Sequence, residues 1–146
     1  MRPLAECRVA GEMETVRQVL IGVSMPGRRT GATMLVDAEG RLSGIFTDSD
    51  LARLFERRRE GQLDVPIREV MCASPVTVRV GSLTADAVET MARRKISELP
   101  VVDAEGHPVG MIDITDVVGI LPKEGEQTAE GPKCGIYREP KRGEAA

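Results

Sequence analysis

Apolar positions along this chain follow two rhythms. Short runs, Met34 to Val36 then Leu42 to Phe46, and Leu99 to Val102 then Pro108 to Ile112, flank a polar Asp-Ala-Glu-Gly segment in each half. Paired apolar runs around a turn rich in Asp and Gly predict β-hairpins. After each hairpin the period lengthens. Leu51, Leu54 and Phe55 follow i, i+3, i+4, and Ile114, Val117, Val118 and Leu121 follow i, i+3, i+4, i+7, so each hairpin feeds a helix. Helical spacing also precedes each hairpin, in Val16, Val19, Leu20 and Val23 and in Leu83, Ala87, Val88 and Met91. The charged Arg17, Asp86, Glu89 and Arg93 fall mostly off these stripes. Pro26-Gly27 should stop the first of these helices, and Ser82 is the expected N-cap of the second. Val76 to Val80 alternates as a short strand leading into it.

The two halves are copies. Val36-Asp37-Ala38-Glu39-Gly40 recurs unchanged as Val102-Asp103-Ala104-Glu105-Gly106, an offset of 66 residues. At that offset Gly44-Ile45-Phe46-Thr47-Asp48-Ser49-Asp50-Leu51 faces Gly110-Met111-Ile112-Asp113-Ile114-Thr115-Asp116-Val117 without a gap. Each half reads strand, helix, strand, strand, helix, which makes the chain α+β. A unit of that size buries little alone, so the expectation is one pseudo-symmetric body closed on a shared core, with a cleft between the halves. Charged residues from Glu56 to Asp64, followed by Pro66, mark the handover. Residues 122–146 lose apolar periodicity and are expected to be disordered.

Composition narrows the function classes. Hydrophobic residues at 41% and charged residues at 29% are an ordinary globular balance, and a formal charge of −3 gives no global attraction to nucleic acid or anionic lipid. Phe46, Phe55 and Tyr137 are too few for the stacking platforms of single-strand binders. Cys7, Cys72 and Cys134 lack CxxC spacing and are read as reduced thiols; with His107 as the only histidine, a structural zinc is not expected. No run approaches the about 18 apolar residues of a membrane span. The expectation is a cytoplasmic protein with neither nucleic acid nor membrane as partner. No nucleophile, base and orienter assemble from these residues, so the chain is not expected to be an enzyme. His107 lies at a hairpin turn, opposite Arg41 in the repeat, and takes no catalytic role.

Gly44-Ile45-Phe46-Thr47-Asp48-Ser49-Asp50-Leu51 resembles the ending of a cystathionine-β-synthase (CBS) domain: glycine, two apolar residues, Thr or Ser, then Asp three residues later. Ile67-Arg68-Glu69-Val70-Met71, Ser74-Pro75-Val76-Thr77-Val78 and Ile96-Ser97-Glu98-Leu99-Pro100-Val101-Val102 extend the resemblance through the second half. It implies two pseudo-symmetric CBS repeats packed as one CBS-pair module. The implied division is a first domain over residues 4–60, a linker over 61–66, a second domain over 67–121 and a tail over 122–146. More narrowly, residues 37–51 are similar to the CBS region of bacterial arabinose-5-phosphate isomerases, whose catalytic domain has no counterpart here. The resemblance therefore implies a regulatory module that senses a nucleotide or sugar nucleotide and is associated with a sugar-phosphate isomerase. Its alternatives are a ligand-free architectural dimerisation module and a non-catalytic fragment of such an isomerase. A homodimer is expected, with Met25, Leu54, Val88 and Met91 as candidates for its apolar face.

In nucleotide-binding CBS domains the Thr or Ser of this motif faces phosphate and the Asp holds ribose hydroxyls. Helix N–H groups and the positive dipole end favour that arrangement. By resemblance Thr47 and Asp50 take those roles in the first half. Asp116 fits the ribose role in the second, where Asp113 replaces the hydroxyl residue and would repel phosphate. Thr30, Thr77, Ser97 and Thr115 are further ligand-facing candidates, and Arg28 and Arg29 would clamp phosphate or a sugar-acid carboxylate. The ligand classes implied are adenine nucleotides and CMP-linked sugars, with no resident cofactor. A plainer account competes with this one. Thr47-x-x-Asp50 and Asp113-x-x-Asp116 are also what a helix uses at its N-cap and third position, with no ligand at all. Asp48, Asp50, Asp113 and Asp116 suit ligand hooks or caps better than a metal cage.

Overall fold

A computed structural model describes residues 1–22 and 31–117. Strand β1 (Arg2–Pro3) and β2 (Arg8–Gly11) precede helix α1 (Val16–Gly22), then β3 (Ala32–Val36), β4 (Leu42–Thr47) and α2 (Asp48–Glu56). The second half contributes β5 (Cys72–Ala73), β6 (Val78–Arg79), α3 (Thr84–Arg94), β7 (Glu98–Val102), β8 (Pro108–Asp113) and α4 (Ile114–Val117). The expected strand-helix-strand-strand-helix order is present twice.

The hairpins form because the repeated Asp-Ala-Glu-Gly builds the same turn at both sites. Asp37 Oδ1 accepts from the amides of Glu39 and Arg41 at 2.9 and 3.0 Å, and Asp103 Oδ1 from those of Glu105 and His107 at 3.0 and 2.8 Å. Gly40 and Gly106 take φ of 79° and 90°, a region that costs an L side chain dearly. Even the register shifts recur, between Leu35 and Val36 and between Val101 and Val102. The two turns also meet. The Leu42 amide donates to the Gly106 carbonyl at 2.9 Å, and His107 Nε2 lies 3.2 Å from the Glu39 carbonyl oxygen.

Each sheet borrows its edge from the other half. One sheet runs β2-β3-β4-β5 and the other β1-β8-β7-β6. Thus β5, from the second half, pairs antiparallel with β4, and β1, from the N-terminal segment, pairs antiparallel with β8. The exchange interlocks the repeats, and a shared core follows from it. Cys7, Ala32, Met34, Ile45 and Met111 form one buried cluster that spans both halves. Val16, Val19, Leu35, Phe46 and Leu54 fill the first repeat with Ile67 and Met71, and Ala87, Met91, Ile96 and Leu99 fill the second.

Three expectations are corrected. Ser82 does not cap α3: Leu83 is the N-cap, without a side-chain hydrogen bond, because Gly81 at φ 89° turns the chain one residue early and ties the Ser82 amide to the Arg79 carbonyl. Leu54 and Met91 cannot present a dimer face, since they are 9% and 1% exposed and belong to the two repeat cores. Cys72 is disulfide-bonded rather than reduced, while Cys7 is free and buried; sequence spacing does not limit which cysteines meet in space. Met25, Val118 and Leu121 lie outside the described residues, as do the Pro26-Gly27 stop and the tail over 122–146.

Candidate functional site

Thr47 ends β4 and caps α2. Its hydroxyl accepts from the Asp50 amide at 3.2 Å, while Asp50 Oδ2 accepts from the Thr47 amide at 2.8 Å and from the Thr47 hydroxyl at 2.9 Å. This is a complete capping box. The remaining oxygen, Asp50 Oδ1, pairs with Arg53 at 2.9 Å in a half-buried ion pair. Both oxygens of Asp50 are thus engaged within the helix's own first turns. Asp50 and Arg53 line a hollow of about 170 Å³ with Arg57, Arg59 and Gln62.

The second half has the same frame with different chemistry. Asp113 Oδ1 accepts from the Thr115 amide at 2.8 Å and hydroxyl at 2.7 Å, and the Asp113 amide donates to Asp116 Oδ2 at 3.2 Å. Asp116 lines a hollow of about 290 Å³ with Val78, Ser82, Val101 and Ile112. Thr77 and Thr115 are exposed, and Ser97 is half-buried, its carbonyl accepting from the Ile114 amide at 2.7 Å. Arg28, Arg29 and Thr30 lie outside the described residues.

The repeats touch through a string of charges that periodicity did not reveal. At the N-terminal end of β3, the Gly31 carbonyl accepts from the Asp48 amide at 2.7 Å, matching Ser97 and Ile114 in the other half. A β-carbon on Gly31 would lie 3.3 Å from Glu98 Oε1 and 3.6 Å from Asp48 Oδ2, so one carboxylate from each repeat flanks this glycine. Glu98 stands opposite Asp113 in the β7–β8 register. Arg8 reaches Asp48 at 4.0 Å. Burial, and then the charge of Asp113, push the Glu98 carboxyl up to about 7, against smaller opposing effects from the Gly31 amide and Arg2. Arg2 itself is 8% exposed, and its Nη1 is buried with no hydrogen-bond partner among the described residues.

Arg2, Arg8 and Glu98 were missed because none sits on a helical stripe. One signal was present. Glu98 interrupts an apolar run at the position where the first repeat has Ala32, and a carboxylate inside a strand that is otherwise buried calls for a partner. A separate cluster, Asp103, Glu105 and His107, brings three metal-ligating types together on the exposed hairpin turn. The His107 and Glu105 amides already account for one Asp103 oxygen and help hold that carboxyl below its usual range. The turn explains the cluster.

Residues 67–123 match the family model described as the CBS domain. Arabinose 5-phosphate isomerase KdsD of Pseudomonas aeruginosa is 38% identical over 112 residues, which cover 72% of this chain and 34% of the relative. The chain therefore spans about a third of that protein's length. Among solved structures, a CBS domain protein from Pyrobaculum aerophilum complexed with AMP is 27% identical, with a TM-score of 0.69 over 81% of this chain and 86% of that one. The cytosolic domain of the Mg²⁺ channel MgtE in complex with ATP is 28% identical, with a TM-score of 0.68 over 80% of this chain and 45% of that one. The internal repeat, the exchanged edge strands and these likenesses place the chain in the CBS-domain family, as a pair of CBS repeats closed on each other.

Proposed function

We propose that this chain is a regulatory, ligand-sensing module that binds a nucleotide or sugar nucleotide between its repeats and works in association with a sugar-phosphate isomerase. The observation that carries the proposal is the charged seam itself. Gly31, Asp48, Glu98 and Asp113 bring polar groups of both repeats together beside the cap of α2, in a fold whose relative from Pyrobaculum aerophilum is complexed with AMP. Carboxylates at such a junction suit ribose or sugar hydroxyls, and nearby arginines suit phosphate. The isomerase association rests on the 38% identity to KdsD. Binding rather than catalysis is the expected activity, so the pure chain should not turn over arabinose 5-phosphate. Pairing of two copies belongs to the same reading and is tested by light scattering.

The direct experiment is a thermal melt with AMP, ADP, ATP, CMP and CMP-linked sugar acids at millimolar concentration. A ligand at about 100 times its dissociation constant stabilises the folded state by roughly 2.7 kcal/mol. Asp50→Ala should abolish that increment. The closed network of Thr47, Asp50 and Arg53 favours one competing reading, an architectural module with no ligand. If none of these ligands moves the wild-type melt, the ligand-sensing reading fails for those classes and the architectural reading takes the lead.

A further inference from the structure

We propose that Arg2, supported by Arg8, is the anion-binding arm of the cleft and takes the phosphate group of a phosphate-ester ligand. The inference rests on the ligand-sensing reading above and assigns the phosphate end of that ligand.

The first observation is an unpaired cation. Arg2 is more than nine-tenths buried, yet Nη1 makes no hydrogen bond among the described residues. Buried guanidinium groups in folded proteins are paired, and an orphan of this kind calls for a partner, which an ordered water, an ion or a ligand can supply. Glu98 does not fill the gap. Among the described residues no ion pair or hydrogen bond joins Arg2 to Glu98, whose carboxyl burial holds up to about 7. Near neutrality a large fraction of Glu98 is therefore protonated, which removes one negative charge from the neighbourhood and supplies an O–H donor to an oxyanion.

The second observation is the setting. Arg2 lies on β1, in register with Met111 of β8, two positions before Asp113 at the C-terminal end of that strand. Arg8, largely buried at the start of β2, contacts Asp48 at 4.0 Å, the outer limit of an ion pair. Asp48 and Glu98 flank Gly31. The string Arg8, Asp48, Gly31, Glu98 thus crosses from one repeat to the other, and Arg2 lies near enough to act on the charge of Glu98. Two arginines, one from each sheet, carry the planar N–H fork that a phosphate accepts.

The helix end is the weaker candidate for phosphate. Asp48 and Asp50 already occupy the first turn of α2, where they neutralise its positive pole, and Thr47 is committed to the capping box. In the second half the corresponding residue is Asp113, a carboxylate. The arginines supply the positive charge that neither helix terminus has to spare.

The test is calorimetric titration of the full chain with AMP and with adenosine. Wild type is expected to bind AMP at least about tenfold more tightly than adenosine, about 1.4 kcal/mol. Arg2→Gln should bring AMP down to the adenosine level and leave adenosine unchanged, a pattern that loss of structure would not produce. Should Arg2→Gln fail to fold, Arg2→Lys replaces it, with a several-fold loss for AMP and none for adenosine, because an ammonium lacks the planar fork. Equal wild-type affinities for the two ligands overturn the inference while leaving ligand sensing intact, as does an AMP preference that survives the substitution. If neither ligand binds, the ligand-sensing reading fails for adenine ligands, and inorganic phosphate decides the anion site. A phosphate-dependent rise in wild-type melting that Arg2→Gln or Arg2→Lys lowers supports it; no rise overturns it.

Discussion

The carbonyl oxygen of Arg2 lies over Gly110, inside the space that a β-carbon on Gly110 would fill. In the first sheet the equivalent space over Gly44 is filled instead by the side chain of Met71, the residue that leads into β5. Each glycine is thus the seat on which the strand borrowed from elsewhere in the chain docks, and backbone contact is close only where a side chain is missing.

Gly110→Ala is expected to destabilise the protein by about 1–3 kcal/mol, since the obstructing atom is backbone and cannot rotate away. It should also displace β1 and with it Arg2. Gly22→Ala, with nothing within 4 Å of the added methyl, is the control. That change should stabilise the end of α1 by about 0.5–1 kcal/mol. Urea denaturation of both variants checks the pair.

Glu98 makes stability depend on pH with a defined sign. Its carboxyl titrates at about 7 in the folded chain against an ordinary 4.5, first because of burial and then because of Asp113. Between these values the folded state keeps a proton that the unfolded chain has released, so stability is full below the lower value and falls as pH rises to the upper one. The shift corresponds to a loss of about 3 kcal/mol at most. Glu98→Gln should flatten that decline and leave the variant more stable than wild type above neutrality. Parallel denaturation curves for the two proteins across this window would remove the assignment.

Thr47→Ala should cost about 1–2 kcal/mol by dismantling the capping box, and Thr47→Ser should restore most of it. The loss appears in the melt of the free protein, whereas a ligand role appears only as a change in the increment on adding nucleotide. The two measurements separate capping from binding at one residue.

Met91→Ala should cost about 2–5 kcal/mol as a cavity in the second repeat's core, with the same dependence on protein concentration as wild type. Leu83→Ser, at the exposed N-cap of α3 that has no side-chain hydrogen bond, should instead stabilise the protein by about 0.5–2 kcal/mol by supplying the missing cap. A concentration dependence for Met91→Ala that differs from that of wild type would return that side chain to an interface between copies.

Much of the fold was legible because it is local. The Asp-Ala-Glu-Gly turns, the alternation from Leu42 to Phe46 and the helical spacing of Val16 and Val19 each depend on residues within a few positions of one another. The repeat then supplied the pairing of the halves, since Asp37 and Asp103 build identical turns from identical residues. The N-cap of α2 was readable for the same reason: Thr47 and Asp50 are three residues apart and need nothing else.

Phe55 shows where local reading ends. It keeps helical spacing with Leu51 and Leu54, yet is 51% exposed while Leu54 is buried. Spacing defines a face of α2, but the neighbouring sheet decides how much of that face it covers. Ser82 fails similarly, because the φ of Gly81 and not the type of residue sets where α3 begins.

The sequence by itself determined two hairpins, their helices, the repeat and the cap at Thr47, all of them encoded by short-range patterns that have one low-energy local solution. Only the tertiary structure decided that β1 and β5 cross to the opposite half's sheet, that Leu54 and Met91 are interior, and that Arg2, Arg8, Asp48, Glu98 and Asp113 meet at one seam. Arg2 and Glu98 are 96 residues apart in the chain. Their meeting is fixed by which strand edges remain unpaired once each repeat has folded, a long-range condition that hydrophobic period does not record.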